Sequence, residues 1–257
     1  MKKTFINLLL AASVLMMVGC KKSKDYKAEF ESTGPNNSLL KVIYASAYAL
    51  NPAVQLSIDD VRVSGLITGR TPFPGGGYNT AGSNFPDYLS LTPGTRKFSV
   101  SIPKKGTNVD SVVLFSTQIN LERDKNFTLN IMDTLAKTKA LLVVDSVEQP
   151  VQSTIKYRFV NLIPNAPIVD LYYGTTLMAS GVVYNTAGKV FSMLIPPVST
   201  LLWAVKESPS TVNSPNLATY GSPNTVINQR MYTAFAMGYK GSTSGTLRPY
   251  ISFTLNW

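Results

Sequence analysis

The side chains that most often perform chemistry in proteins are scarce in this chain of 257 residues. It has no histidine and one cysteine, Cys20. The lack of histidine excludes Ser-His-Asp and Cys-His catalysis, histidine-ligated zinc and an imidazole pH switch. A single cysteine can form neither an internal disulfide nor a metal–thiolate cluster. We therefore expect no metal site and no cofactor.

Carboxylates are the other candidates for acid–base chemistry. A glycosidase holds two of them about 5 to 9.5 Å apart across the scissile bond. The first half of the chain contains Asp59, Asp60, Asp87, Asp110 and Asp124 without a recognisable pairing, and no Asp-x-Asp-x-Asp-Gly calcium loop is present. We interpret these residues as solvated carboxylates and expect a protein that is not an enzyme. A carbohydrate-active enzyme with paired Asp or Glu is the alternative.

One segment, from Arg70 to Tyr88, is elaborated beyond its surroundings, and loops on rigid sandwiches commonly carry binding residues. Its aromatic rings could stack on sugars, and its carboxylate could accept hydrogen bonds from hydroxyl groups. The candidate ligand-contact residues are Arg70, Phe73, Tyr78, Phe85, Asp87 and Tyr88. In the opposing interpretation, Phe73, Phe85 and Tyr88 pack the loop onto its own domain. The triple glycine is no phosphate loop, because neither Gly-Lys-Ser/Thr nor a helix follows it.

The amino-terminal residues have the layout of a secretory signal peptide, with Lys2 and Lys3 before an apolar run from Phe5 to Val18. That run is shorter than the roughly 20 residues of a membrane-spanning helix. The next residues, Met17-Val18-Gly19-Cys20, resemble a bacterial lipobox, which implies cleavage before Cys20 and acylation of its thiol. We predict a signal peptide at 1–19 and a lipidated, flexible tether at 20–38.

The lipid anchor predicts a membrane-attached lipoprotein of the bacterial cell envelope. We expect it to reside at the outer membrane. Whether it faces the periplasm or the cell surface stays open. The formal net charge is +10, but lysine and arginine are scattered rather than clustered. Together with secretion, this argues against a nucleic-acid partner.

Strand patterns dominate the rest of the chain, with apolar residues at every second position. The clearest alternations are Phe98, Val100, Ile102; Phe127, Leu129, Ile131; Leu201, Trp203, Val205; and Ile251, Phe253, Leu255, Trp257. The continuous run from Ala140 to Val144 predicts a central strand that is buried on both faces. No helical period of useful length is found.

The chain also repeats itself. Tyr78-Asn79-Thr80-Ala81-Gly82 recurs letter for letter as Tyr184-Asn185-Thr186-Ala187-Gly188, and the segments around Val54 and Val63 align with those around Val169 and Ala179. We therefore predict an all-β protein of two tandem immunoglobulin-like antiparallel β-sandwich domains, at 39–150 and 151–257, joined near Val147 to Thr154. A single larger β-fold is the rival.

Residues Tyr157-Arg158-Phe159-Val160-Asn161-Leu162-Ile163-Pro164-Asn165-Ala166-Pro167-Ile168-Val169-Asp170-Leu171 resemble the domain-of-unknown-function family 4397. The resemblance covers 155 to about 240 well and 40 to 146 more loosely, which indicates two copies. It implies an extracytoplasmic, often lipid-anchored bacterial protein with immunoglobulin-like sandwiches and no established activity. The proline-flanked turn and Asp170 are interpreted as structural.

These observations favour a non-catalytic binding or assembly module that presents loops to an extracellular glycan or an envelope protein. Beyond the enzyme already considered, a purely structural spacer of a surface complex is the other alternative.

Overall fold

The computed structural model describes residues 36–46, 50–69, 71–77, 85–107, 109–198, 201–243 and 245–257. Cys20, Arg70, Tyr78 and the predicted signal peptide lie outside the described residues. In the described part the chain forms strands and three short 3₁₀ helices, Leu135–Lys137, Pro223–Thr225 and Gly245–Leu247, and no α-helix.

Two sheets form the first sandwich. One has β1 at its centre, with β4 and β5 on one side and β8 and then β9 on the other; the second has the order β3-β2-β6-β7. Alternate apolar side chains from both sheets fill the space between them. The strands are β1 (Ser38–Tyr44), β2 (Gln55–Ile58), β3 (Val61–Arg62), β4 (Thr71–Phe73), β5 (Leu89–Leu91), β6 (Gly94–Pro103), β7 (Asp110–Leu121), β8 (Asn126–Met132) and β9 (Lys139–Val144).

Two further sheets form the second sandwich, with the orders β13-β10-β16-β17 and β12-β11-β14-β15. Its core contains a group of aromatic rings packed at tilted angles around the fully buried Trp203, whose indole N–H donates to the hydroxyl of Thr225 at 2.9 Å. The strands are β10 (Thr154–Leu162), β11 (Ile168–Tyr173), β12 (Thr176–Val183), β13 (Thr186–Leu194), β14 (Trp203–Glu207), β15 (Ala218–Tyr220), β16 (Met231–Met237) and β17 (Tyr250–Leu255).

The all-β sandwich prediction is confirmed. The junction predicted near Val147 to Thr154 overlaps the segment between β9 and β10. The strands pair antiparallel except for one parallel pair in each sandwich, β1 with β8 and β10 with β16. In both sandwiches the first strand shares a sheet with this parallel partner and not with the second strand. In the immunoglobulin order, by contrast, the first two strands lie in the same sheet.

The run from Ala140 to Val144 is not a central strand, as its apolar composition had predicted. It forms β9, which lies at the edge of its sheet. Its side chains are apolar on both faces for another reason: Ala140 and Leu142 pack on the first core, while Leu141 packs on a separate apolar cluster with members from both sandwiches. Similarly, Leu201 precedes β14 and is 42% exposed, so the strand begins two residues later than the alternation indicated.

A third apolar cluster joins the two sandwiches. We call it the interface cluster; its buried members are Ile43, Ala45, Met132, Val160, Leu162, Phe235 and Met237. These residues come from the faces of β1, β8, β10 and β16 that point away from their own cores. Both faces are covered near the carboxyl ends of these strands, where the alternation gives way to adjacent apolar residues, as in Ile131-Met132 of β8 and Phe235-Ala236-Met237 of β16. The described part of the chain from residue 36 onward is therefore one compact unit rather than two loosely linked domains.

Candidate functional site

The described residues of the predicted ligand-contact loop do different things. Phe73 packs against the first core, whereas Phe85 is 75% exposed. The backbone of the glycine run reaches the second sandwich, because the N–H of Leu255 donates to the carbonyl of Gly76 at 2.5 Å. The segment thus helps to hold the sandwiches together. Whether it also contacts a ligand stays a prediction.

Tyr88 belongs to a buried polar cluster between the sandwiches. Its hydroxyl donates to the carboxylate of Asp145 at 3.0 Å, and its ring lies 4.4 Å from the ammonium nitrogen of Lys41. Lys41 has no exposed surface, and its ammonium donates to the backbone carbonyl of Leu255 in the second sandwich. Sequence reasoning missed this lysine, because a single charge within an apolar strand is most often solvated.

Burial sets the protonation chemistry of this cluster. It lowers the pKa of Lys41 to about 8, against the opposing influence of the negative charges of Asp145 and Asp87. It also raises the pKa of Asp145, although hydrogen bonds from Thr128 and Tyr88 and the charge of Lys41 act in the other direction. The second carboxylate oxygen of Asp145 has no hydrogen-bond partner among the described residues. The cluster is sealed from solvent at Lys41, so we interpret it as structural.

The carboxylates considered for a glycosidase pair form separate contacts. Asp59 accepts from the guanidinium of Arg96 at 3.0 Å, and neighbouring Asp60 accepts from the ammonium of Lys97 at 2.7 Å. Both pairs are at least partly exposed at the turn between β2 and β3.

Two other carboxylates serve local contacts. The carboxylate of Asp110 accepts hydrogen bonds from Gln55 and Ser101 on neighbouring strands. That of Asp124 accepts from the backbone N–H of Asn36 at 2.8 Å, where the described chain begins. Both carboxylates therefore have structural hydrogen bonds within the first sandwich.

The polar residues of the motif from Tyr157 to Leu171 act as clamps on the backbone. The buried amide of Asn161 donates to the carbonyls of Ala166 at 3.0 Å and Val182 at 3.2 Å, and its oxygen accepts from the N–H of Ile163 at 3.0 Å. It fixes the turn that follows β10 and ties it to the end of β12.

The side chains of Asn165 and Asp170 also form hydrogen bonds that hold other loops in place. The side-chain amide of Asn165 donates to the carbonyl of Lys240 at 2.9 Å and accepts from its N–H at 2.7 Å. The carboxylate of Asp170 accepts from the N–H of Gly181 at 2.8 Å and from the hydroxyl of Ser210 at 2.6 Å. The structural interpretation of this motif therefore agrees with the contacts that its side chains make.

An open groove of about 760 Å³ lies between the sandwiches, and this volume falls in the range of small-molecule sites. The 3₁₀ turn after β8 forms one wall, and the turns that follow β10, β12 and β16 form the other. Most of its lining is apolar or aromatic. The lining residues are Asp133, Thr134, Leu135, Ala136, Lys137, Lys139, Pro164, Asn165, Tyr184, Tyr239 and Leu247.

Asp133 is the polar centre of the groove. Its carboxylate accepts a hydrogen bond from the hydroxyl of Tyr239 and a long contact, 3.5 Å, from that of Tyr184. Burial, together with the negative charge and hydrogen bonding of Asp133, raises the pKa of Tyr184 to about 12. The ammonium of Lys139 lies 5.5 Å from the centre of the Tyr184 ring. One carboxylate from the first sandwich is thus held by two tyrosines from the second.

The wall formed by the first sandwich is backbone-strained. Leu135 has a φ of +52°, in the left-handed region that bulky side chains rarely adopt; Asp133, with a φ of +63°, is of a residue type that tolerates this region. This conformation holds the side chain of Leu135 at the groove, where it is 70% exposed. Strain of this kind is concentrated at functional sites. One hint of this site is present in the sequence, since Tyr184 begins the repeated pentapeptide.

The fold and the groove define the class of protein: an all-β protein whose two sandwiches are packed through a buried interface and share one groove. More specifically, the chain belongs to the family described as Domain of unknown function (DUF4397), whose model matches residues 38–172, more than half of the chain. The match covers the first sandwich and the first two strands of the second. No curated protein matches the chain. No helix in the described residues is long and apolar enough to cross a membrane.

Proposed function

We propose that the protein is a non-catalytic, lipid-anchored envelope protein that binds an extracellular glycan in the groove between its two sandwiches. The observation that carries this proposal is the joint construction of the groove, in which Asp133 of the first sandwich is held by Tyr184 and Tyr239 of the second. A site of this kind needs both sandwiches and a fixed angle between them, which the interface cluster supplies.

The chemistry of the groove fits a sugar chain. Aromatic and apolar walls suit the C–H faces of pyranose rings, and a carboxylate accepts hydrogen bonds from hydroxyl groups. Lys137 and Lys139 line the groove and are exposed, so an acidic sugar would gain two favourable charges.

Leu135→Asn tests the glycan proposal, because it removes an exposed apolar side chain and asparagine tolerates a positive φ. Affinity electrophoresis through gels that contain purified neutral or acidic polysaccharides would measure binding. We expect retardation of the parent protein and roughly tenfold weaker binding by the variant, from the loss of about 1–2 kcal/mol of apolar contact. Val61→Asn, at a residue 65% exposed on β3, is the matched control. Equal retardation of all three proteins would contradict the use of the groove.

We further propose that Cys20 carries the lipid and that the protein resides at the outer membrane. The support is the charged and apolar leader followed by Met17-Val18-Gly19-Cys20. Metabolic labelling with an alkyne fatty acid should mark the parent protein and fail to mark Cys20→Ser. Protease digestion of intact and lysed cells would then distinguish the surface from the periplasm.

We also infer that the two sandwiches are copies of one family domain. They share a strand order, and the aligned segments make equivalent contacts: Val63 hydrogen-bonds to Leu56 in the first sandwich, and Ala179 pairs with Leu171 in the second. A structure-based superposition of the two halves tests the idea, since duplication requires those aligned residues to coincide.

A further inference from the structure

The two parallel strand pairs, β1 with β8 in the first sandwich and β10 with β16 in the second, run in the same direction. Near their amino ends, Lys41 of β1 contacts the last residue of β17, Leu255. Near their carboxyl ends, Asp133 after β8 contacts Tyr239 after β16. The starts of β1, β8, β10 and β16 are therefore at one end of the molecule, and the groove is at the other. Seven residues of strand separate these ends by roughly 20 Å.

The chain enters the first sandwich at the end opposite the groove. Asn36 lies there, where its backbone N–H donates to Asp124 at 2.8 Å just before β8 begins. Asn36 is sixteen positions after Cys20 in the sequence. A segment of this length reaches at most about 55 Å, so a lipid on Cys20 holds the protein at the bilayer through this end of the molecule, and the exposed side chains at that end decide the orientation.

The same end carries exposed apolar side chains, which we call the apolar rim: Val151, Leu194, Ile195 and Trp257, exposed by 72%, 73%, 41% and 46%. They are neighbours in the sheet. Leu194 pairs with Thr154, whose N–H donates to the carbonyl of Val151, and the N–H of Ile195 donates to Ser153. Trp257 follows β17, which is three strands from β13 in the same sheet, and its carbonyl accepts from the N–H of Met231 at 3.1 Å.

We propose that the apolar rim rests in the surface of the lipid bilayer and that the groove faces away from it. This inference depends on the proposed lipid anchor. The rim lies at the end where the tethered chain enters, and a half-exposed tryptophan is a side chain that favours the membrane interface. The charged residues near the entry, Glu122, Arg123, Asp124 and Lys125, are of mixed sign. Contact should therefore depend on apolar insertion more than on anionic lipid.

Tryptophan fluorescence of the full lipoprotein, reconstituted into vesicles of phosphatidylcholine with and without brominated acyl chains, tests this orientation. The chain has two tryptophans, and Trp203 is fully buried in the core, so it provides a constant background. The Trp257 signal is the fluorescence of the parent protein minus that of the Trp257→Phe variant. We expect brominated lipid to quench at least half of this signal. Leu194→Ser should reduce this quenching at least twofold.

The matched control moves the probe to the groove. Leu135→Trp in the Trp257→Phe background places a tryptophan at a residue that is 70% exposed at the opposite end, and it should not be quenched. If the protein floats with the vesicles but Trp257 is not quenched, the proposed orientation is wrong, and the lipid anchor is still supported. Equal quenching at both positions would also overturn the orientation. Failure to float would refute the lipid anchor, and the orientation with it.

Discussion

Raising the pH from 7 to 10 should stabilise the folded protein through one side chain, Lys41. Its ammonium has no exposed surface, and burial lowers its pKa to about 8, from 10.5 in the absence of the fold. Between these values the unfolded chain binds a proton that the folded chain does not. The free energy of unfolding therefore rises with pH across this window.

The size of the effect follows from the difference in pKa. At 1.36 kcal/mol per unit, the burial of a charged Lys41 costs about 3 kcal/mol below pH 8, and this cost disappears above pH 10.5. The expected slope approaches about 1.4 kcal/mol per pH unit inside the window. Tyrosines whose pKa is raised, such as Tyr184, stabilise the fold below pH 10 and lose that contribution as pH rises further. The window from pH 8 to 10 is therefore the informative one.

Urea unfolding of the chain without residues 1–20, followed at half-unit steps of pH, measures this slope. Lys41→Met keeps most of the side-chain volume and removes the titrating group, so the difference between the two proteins isolates Lys41. We expect the stability of the parent protein relative to the variant to increase by about 3 kcal/mol between pH 7 and 10.5. A pH-independent difference would show that Lys41 keeps its ordinary pKa in the folded chain and would refute the reasoning.

Three other outcomes are expected. Asp133→Asn should lower the pKa of Tyr184 from about 12 towards 10, without reaching it because the ring stays partly buried; a tyrosine-specific NMR titration that shows no change would exclude this coupling. Asn165→Ala removes both hydrogen bonds to Lys240 and should lower the free energy of unfolding by about 1–2 kcal/mol in urea, whereas a change near zero would mean that water replaces them. A chain that ends at Pro249 loses all of β17 and should show no sharp thermal transition; cooperative melting would contradict the importance of that strand.

The alternation of apolar residues predicted β6, β8 and β17 because each has one face on a sandwich core. Phe98, Phe127 and Phe253 are buried in these cores, as expected. Prediction was weaker wherever both faces of a strand are covered, since alternation then disappears. The edge strand β9 reads as a central strand for this reason, and its Leu141 packs on the interface cluster.

Local sequence patterns could not predict the candidate site. The groove combines Asp133 with Tyr239, which is more than 100 residues away in the chain, and no short motif links them. The loop that did stand out, with its glycines and aromatic rings, contacts the second sandwich through Gly76, and its Tyr88 contacts Lys41, whose ammonium donates to Leu255 of the second sandwich. An unusual loop thus marked a contact between domains whose existence the sequence did not reveal.

A groove divided between two sandwiches makes binding depend on the interface that fixes them. The second sandwich alone would keep Tyr184 and Tyr239 but lose Asp133 and Leu135, and the first alone would lose both rings. Neither half would retain a carboxylate enclosed by aromatic walls. The interface cluster and the hydrogen bond from the buried Lys41 to Leu255 are therefore as necessary to the proposed binding as the groove residues themselves.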